Sequence, residues 1–598
     1  MSASHAVPAG RIVAERLLER LAELGVDCLF GNAGTDFAPV IEAYARARSR
    51  GARVPEPIAV PHENLAVSMA HGYYHATGRP QAVMVHVNVG TANALCALFN
   101  ARRDNIPVLV FAGRTPLSDG EAAGSRSVFI HWGQEMFDQA GMVREAVKWD
   151  YELRMASQVD AVLDRAYAIA MSEPRAPVYV TLPREVLALP APETQPAPQR
   201  PSSPAQDTRV ASLRSRSSSP GVAAAAAPDR TALARLAEWL ATADCPLAIT
   251  ASHGRRAEEV ERLAALCTAA ALPLVAYRPR YMALPSAHPM LIGYEPAAAL
   301  AEADLVIALD CDVPWIPRLH PRQPGARFVQ IGPDPLFASY PLRSFPCDLA
   351  IAADTSTVVA ELTAAVQGQI EPQRLARRQA RAAAWRQSVF GAGELPAPAA
   401  DAVSSVPWVA RCLNRAKRDD DILVIESVFP LQLLELATPG TLFGTSPAGG
   451  LGWGLGESIG LKLADRSRRV IAVVGDGTYM FGNPTPAHYM CAALQLPVLT
   501  VILNNGMWGA VRRATLGMYP DGAAAADAQP ALTMLEPAPR YERVVEASGG
   551  YGECVERAAD LPAALERAFH VVEIERRQAV LNVLCHYSDE AARRDALR

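Results

Sequence analysis

Lysine is nearly missing from this chain. It stands only at Lys148, Lys417 and Lys462, and arginine supplies the other basic residues. No G-x-x-x-x-G-K-[ST] stretch exists, which excludes a P-loop nucleotidase. A Schiff-base lysine has three candidates, none of them inside a motif. Paired cysteines are missing too. The ten cysteines (28, 96, 245, 267, 311, 347, 412, 491, 554, 585) are scattered and no C-x-x-C occurs, so neither a zinc site nor a redox dithiol is indicated. Most sit in apolar surroundings and read as reduced, buried fillers. No apolar run is long enough to span a bilayer. Met1-Ser2-Ala3-Ser4-His5 lacks a signal-peptide pattern. A net charge of −5 on 598 residues gives no reason to expect nucleic acid or an anionic membrane as partner. A cytoplasmic chain without either partner is expected.

What is present is a composition ordinary for a globular protein, with 50% apolar and 20% charged residues. The length exceeds what one core supports and predicts several domains. In residues 11–24, Ile12, Val13, Leu17, Leu18, Leu21 and Leu24 recur at helical spacing, with Gly25 as the stop. Strand-like runs at 28–30, 81–86, 107–112 and 178–182 alternate with helical stretches, 65–76 among them. Runs at 247–250, 272–276, 305–309 and 328–331 repeat the pattern. Such alternation implies parallel sheets covered on both faces. The fold class is therefore α/β, with three doubly wound parallel-sheet domains at 1–189, 231–366 and 406–598. Linkers are expected at 190–230, rich in Pro, Ser, Ala and Arg, and at 367–405, which begins with an Arg/Ala-rich helical stretch. The three domains read as one architecture used three times.

Two loops carry the chemistry. Gly475-Asp476-Gly477-Thr478 follows the apolar run Val470-Ile471-Ala472-Val473-Val474. Asn504-Asn505-Gly506 follows Val498-Leu499-Thr500-Val501-Ile502-Leu503. Asp476 and Asn505 are 29 residues apart, which leaves room for one crossover helix near 484–495. Asp476 offers a carboxylate oxygen, Asn505 an amide oxygen and Met507 its carbonyl. Mg²⁺ takes such hard oxygens, with a diphosphate filling the remaining octahedral positions. The glycines let backbone N–H groups approach phosphates. Read singly, Gly-Asp-Gly is an ordinary turn; the pair at this spacing reads as a metal–diphosphate cradle.

Gly475-Asp476-Gly477 followed at that distance by Asn504-Asn505 resembles the fingerprint of thiamine-diphosphate (ThDP) enzymes, and outside its linkers the chain resembles their acetolactate synthase and benzoylformate decarboxylase type. The resemblance implies an N-terminal domain for the aminopyrimidine, a structural or FAD-binding central domain and a C-terminal domain for the diphosphate. It implies ThDP and Mg²⁺ as cofactors, with Asp476, Asn505 and Met507 on the metal and Gly475, Gly477 and Thr478 beside the diphosphate. Glu63, in Pro61-His62-Glu63-Asn64, would hydrogen-bond N1′ of the aminopyrimidine and favour the tautomer whose N4′ removes the C2 proton. Its plainer reading is a first-turn helix acid. In Ala448-Gly449-Gly450-Leu451-Gly452-Trp453-Gly454, the resemblance gives the Gly449 carbonyl to N4′ and makes Leu451 the wedge that bends the cofactor. Taken alone, that stretch is a glycine-rich turn with a core leucine. Ile425-Glu426-Ser427-Val428 resembles a segment at the diphosphate end. Benzoylformate decarboxylases carry a hydroxyl where Val428 stands, which leaves Ser427 as the weaker candidate for contact.

On the substrate side, His86, in Val85-His86-Val87-Asn88-Val89-Gly90-Thr91, matches an active-site histidine of benzoylformate decarboxylases and can shuttle a proton. Its plainer reading is a satisfied strand-end histidine. Thr35, in Gly31-Asn32-Ala33-Gly34-Thr35-Asp36, aligns with a substrate-contacting serine, or caps a helix. A second active-site histidine has no clear counterpart near Asp312-Val313-Pro314-Trp315; Trp315 lines the pocket or is core. Only His62 precedes Glu63, so the His-His pair of pyruvate decarboxylases is missing. The turn Ala251-Ser252-His253-Gly254-Arg255-Arg256 holds one glycine, so FAD is not expected. The resulting reading is a ThDP- and Mg²⁺-dependent non-oxidative decarboxylase or carboligase of a 2-oxo acid, a small-molecule substrate, benzoylformate-decarboxylase-like, working through a C2 ylide and an enamine. An acetolactate-synthase-type carboligase and a catalytically silent ThDP-fold binding protein are the alternatives. Glu63 and the diphosphate loops fall on different domains, which in the family come from different subunits. A homodimer or homotetramer with active sites at the subunit interface follows.

Overall fold

Apolar runs rich in β-branched residues become strands here because both faces of each sheet are covered, so continuous burial outweighs alternation. The protein, a computed structural model, is described at residues 10–120, 122–192, 221–345, 347–391, 396–399 and 401–587. The pentapeptide at the N-terminus, most of the 190–230 stretch with Ser217-Ser218-Ser219-Pro220, and 588–598 lie outside the described residues. The chain divides into two compact units, Met1–Ala224 and Ala225–Arg598.

The first unit holds a six-stranded parallel sheet of β1 (Cys28–Gly31), β2 (Glu56–Ala59), β3 (Gln81–Val85), β4 (Val108–Arg114), β5 (Trp149–Glu152) and β6 (Val178–Pro183). Their order is β2-β1-β3-β4-β6-β5. The first helix, Val13–Glu23, lays Leu17, Leu18 and Leu21 into the core. Gly25, at φ +85°, then turns the chain in a conformation other residues avoid. On the same helix the buried Arg16 and Arg20 pair with Asp160 and Asp164 of the helix Val159–Met171, at 2.7 and 2.6 Å.

The second unit holds two more parallel sheets. One consists of β7 (Pro246–Thr250), β8 (Leu274–Ala276), β9 (Leu291–Gly293), β10 (Leu305–Leu309), β11 (Arg327–Gly332) and β12 (Leu349–Ala352). Its order is β12-β11-β10-β7-β8-β9. The other consists of β13 (Ile422–Glu426), β14 (Leu442–Gly444), β15 (Val470–Gly475), β16 (Leu499–Asn504), β17 (Tyr551–Val555) and β18 (Ala579–Leu584), in the order β14-β13-β15-β16-β18-β17. The first and third sheets thus share one strand order and the middle sheet has another, so a single architecture is used twice rather than three times. The strand order is set by which strands pair, and periodicity along the chain carries no sign of that.

The Arg/Ala-rich stretch after the middle sheet is a helix, Pro372–Phe390, that packs into the middle core through Ala382, Leu375 and Trp385. Its Arg378 is 1% exposed and donates to the Ala270 and Leu240 carbonyls at 2.8 and 2.6 Å. Those carbonyls are orphans at the ends of two helices, where a cation also meets the negative helix terminus. Trp315 is core: its ring packs edge-on against Phe328 and Phe345.

Candidate active site

In a sheet of order 2-1-3-4-6-5 the connections leave in opposite directions from the first and third strands, and a crevice opens at their carboxyl ends. In the first unit these strands are β1 and β3, paired in parallel with Phe30 opposite Val83 and Gly31 opposite Met84. The sequence-predicted residues Thr35 and His86 leave those two ends, and Glu63 leaves the end of β2. Glu63 opens the helix Glu63–Thr77 and is 7% exposed. Its Oε2 accepts from Asn93 Nδ2 of the helix Val87–Arg103. A Cβ at Gly90 would stand 3.1 Å from Glu63 Oε1, so glycine there keeps the acid's other oxygen clear. Before it, burial lowers His62, whose Nδ1 is buried without a hydrogen-bond partner among the described residues.

His86 is the residue between β3 and the helix Val87–Arg103, not a strand residue. Its Nδ1 lies 2.6 Å from Asp36 Oδ1 and its Nε2 lies 3.3 Å from Gln134 Nε2. The hydrogen bond to Asp36 raises His86 above the ordinary histidine value, against burial. Thr35 is exposed and is the first residue of a short 3₁₀ turn capped by Gly34, so it is not a helix cap. Its carbonyl accepts from Arg184 Nη1 at 3.4 Å, and the same guanidinium reaches the Ser125 carbonyl at 2.6 Å.

In the second unit the matching ends are those of β13 and β15. Gly475 closes β15, and Asp476 opens the helix Asp476–Phe481. Asp476 is 2% exposed; its two oxygens accept the Gly477 and Gly506 N–H groups, each at 2.8 Å. Burial pushes this carboxyl up, and the surrounding backbone N–H groups pull it back down. A Cβ at Gly477 would collide with the Trp508 ring at 2.5 Å, so the loop closes only on glycine. Thr478 is 8% exposed. Asn505 Oδ1 accepts the Met507 N–H at 3.1 Å, and the Met507 carbonyl accepts from Gly509 N at 2.9 Å. Asp476, Asn505 and Met507 therefore gather a carboxylate, an amide oxygen and a main-chain carbonyl on the ends of two adjacent strands. That donor set suits a hard divalent cation.

Glu426, the last residue of β13, accepts the Gly452 and Gly454 N–H groups at 2.8 and 2.6 Å, one on each carboxylate oxygen. Burial pushes it up to about 8, against N–H bonds that favour the ionised form. It fixes the turn that carries Gly449, at φ +68°, and the half-buried Leu451 into the helix Trp453–Ala464. Gly452, at φ +82°, meets the Gly482 backbone so closely that a Cβ would stand 2.3 Å from Gly482 Cα. Ser427 is half-buried and Val428 is 56% exposed.

Sequence reasoning assigned no role to Asp36, Asn93, Gln134 or Glu426. Asp36 and Glu426 each lie beside a motif residue, but only tertiary pairing shows what they hold.

Residues 11–142 match the "Thiamine pyrophosphate enzyme, N-terminal TPP binding domain", 233–362 the central domain and 427–583 the C-terminal TPP binding domain of the same enzymes. A benzoylformate decarboxylase of Pseudomonas aeruginosa is 28% identical over 516 residues, covering 83% of this chain and 86% of its own length. An acetolactate synthase of Mycobacterium bovis is 25% identical over 572 residues, covering 93% and 85%. Among solved structures, the ThDP-dependent 4-hydroxybenzoylformate decarboxylase of Rhodococcus jostii RHA1 covers 97% of this chain and 100% of its own, with TM-score 0.75 at 22% identity. Benzoylformate decarboxylase from Polynucleobacter necessarius covers 96% and 99%, with TM-score 0.76 at 21% identity. The fold is that of these decarboxylases, and among the described residues no helix is long and apolar enough to cross a membrane. With all three domain families matched in order along its length, the chain belongs to the thiamine-diphosphate-dependent enzymes.

Proposed function

We propose that this protein is a Mg²⁺- and ThDP-dependent, non-oxidative decarboxylase of a 2-oxo acid, of the benzoylformate decarboxylase type. The observation that carries the reading is His86, held through Nδ1 by Asp36 at the carboxyl end of β3 and half-shielded from water. A proton donor there suits release of an aldehyde. The donor set of Asp476, Asn505 and Met507 fits Mg²⁺, and the glycine-dependent loops Gly475–Thr478 and Asn505–Met507 suit a diphosphate.

In this reading Asp476, Asn505 and the Met507 carbonyl hold the metal. Gly475, Gly477 and Thr478 face the diphosphate. Glu63 on the first unit, and the Gly449 carbonyl and Leu451 on the second, would each contact the aminopyrimidine. When bound, ThDP supplies a nucleophilic carbon and a sink for the electrons that carbon dioxide leaves behind. The chain supplies the rest. Glu63, nearly dry and oriented by Asn93, exchanges a proton with the bound ring. Thr35, exposed at the end of β1, orients the substrate. His86 returns a proton to the carbon that has lost carbon dioxide. FAD has no part in this reading: after β7 the one glycine of Ala251–Arg256 is used up against the Met282 carbonyl, 2.4 Å from a Cβ at Gly254. Beside it, His253 and Asp310 pair at 2.9 Å. The assembly is proposed to be a homodimer or homotetramer.

A second reading, carboligation of the acetolactate synthase type, is favoured by relatives such as the M. bovis enzyme, whose match spans 93% of the chain. The experiment is to supply ThDP and Mg²⁺ with benzoylformate, and separately with pyruvate. Benzaldehyde from the first supports the decarboxylase; acetolactate from the second alone supports the carboligase. Neither product, with other aryl and alkyl 2-oxo acids also inert, rejects both.

A further inference from the structure

The grip on His86 is more elaborate than a surface ion pair. Asp36 is 3% exposed. One of its oxygens meets His86 Nδ1 at 2.6 Å and the other accepts the Val87 N–H at 3.2 Å. A single carboxylate thus holds the ring and the peptide that follows it. The chain is shaped around that carboxylate. A Cβ at Gly34 would stand 2.1 Å from His86 Nδ1, and one at Gly113 would stand 1.7 Å from Asp36 Oδ2. Val87 sits at φ +31°, a strained conformation for a β-branched residue.

A buried polar chain locks this geometry from behind. The Val87 carbonyl accepts from Thr91 Oγ1 at 2.6 Å, and Thr91 meets the Tyr179 hydroxyl at 2.7 Å. Gln139 Nε2 joins that hydroxyl to the Gly113 carbonyl, at 2.9 Å to each. Strain held in place by surrounding structure concentrates where function uses it.

We propose that Asp36 is a positioning residue for the reaction: it fixes His86 with a protonated Nδ1 toward the carboxylate and Nε2 toward Gln134, so that His86 delivers a proton to carbon and the site releases an aldehyde rather than joining two carbons. The proposal deepens, and rests on, the reading of His86 as the substrate-side acid. The proton leaves Nε2–H for the carbon that has lost carbon dioxide, and solvent restores it, so no oxidant or reductant is needed. Gln134 suits both states of the ring, because an amide can turn its oxygen to a charged imidazole and its nitrogen to a neutral one. Of the charged groups around the ring, Asp36 and Glu63 favour the imidazolium. Burial opposes it, and His131 and Arg184 lie close enough to feel the charges of the ring and of Asp36 respectively.

The test begins on the full-length protein without cofactor, with ¹³Cε1-labelled histidines titrated by NMR and the His86 signal identified by its loss in His86→Asn. His86 should titrate above the ordinary value in the wild type. It should fall by about one unit or more in Asp36→Asn, and Asp36→Glu should restore part of the difference. With ThDP and Mg²⁺ and a 2-oxo acid plus an acceptor aldehyde, Asp36→Asn should shift products from aldehyde toward the carbon–carbon-bonded ketone. The falling alkaline limb of its pH profile should move to lower pH, because the protonated ring is lost earlier. An unchanged titration overturns the grip. A moved titration with unchanged product ratio and pH limb overturns the steering. A wild type that converts no 2-oxo acid rejects the functional reading, while the titration still decides the grip by itself.

Discussion

Asp476 Oδ2 accepts the Gly506 N–H at 2.8 Å, which ties the loop after β15 to the loop after β16. The strands pair with Gly475 opposite Leu503, so the two loops leave side by side. The same carboxylate closes the turn and, in the proposed reading, offers its oxygens to a cation. Asp476→Ala should therefore weaken Mg²⁺-supported ThDP binding by more than about 100-fold, measured by titration calorimetry, and should also lower the melting temperature of the unliganded protein, because two buried N–H groups lose their acceptor. Equal affinity in the variant would remove Asp476 from the metal site.

Asn93 donates to Glu63 Oε2 from the neighbouring helix. Removing a hydrogen bond to a buried charged group costs about 1.5–3 kcal/mol. Asn93→Ala should lower kcat by roughly 10- to 100-fold and leave ThDP binding within a few-fold of wild type. A normal kcat would show that Glu63 needs no orientation from this side.

Glu426 gives one oxygen to each of two backbone N–H groups. Glu426→Gln keeps the volume but turns an amide NH₂ toward one of those donors. A buried donor left unsatisfied costs about 1–3 kcal/mol, so a lower melting temperature and weaker ThDP binding should appear together. Loss of binding at unchanged melting temperature would place Glu426 in direct cofactor contact instead.

His488 lies buried between the Tyr479 hydroxyl at 2.6 Å and Gln578 Oε1 at 2.8 Å. Burial pushes it down to about 4. The unfolded chain binds a proton here below the ordinary histidine value of 6.5 and the folded chain does not until about 4. Stability is therefore complete above pH 6.5 and is lost as pH falls through that window, by roughly 3 kcal/mol in all. His488→Gln should lose less melting temperature than wild type between pH 7 and pH 4.5, measured by thermal-shift assay. Parallel pH profiles would show that the ring is protonated in the fold.

That Asp476 and Asn505 stand in loops at the ends of paired parallel strands was legible in the sequence, because each follows an apolar run directly and a parallel strand's end fixes where its loop begins. The place of Glu63 just past the end of β2 was legible in the same way. The Asp36–His86 pair was not. The two residues are 50 positions apart and meet because β1 pairs with β3, past β2 in sequence. Nor was the role of Pro372–Phe390 readable: its arginines suggest a solvated connector, whereas Arg378 is buried against helix-end carbonyls. Strand order stayed hidden for a similar reason, since all three sheets present the same alternation along the chain.

The most direct measurement is hydrogen–deuterium exchange at the thiazolium C2 of ThDP bound to the wild type and to Glu63→Gln, followed by quench and NMR. Exchange should be rapid in the wild type and slower by at least about 100-fold in the variant, with ThDP still bound. Equal exchange rates in the two proteins would show that Glu63 takes no part in removing the C2 proton.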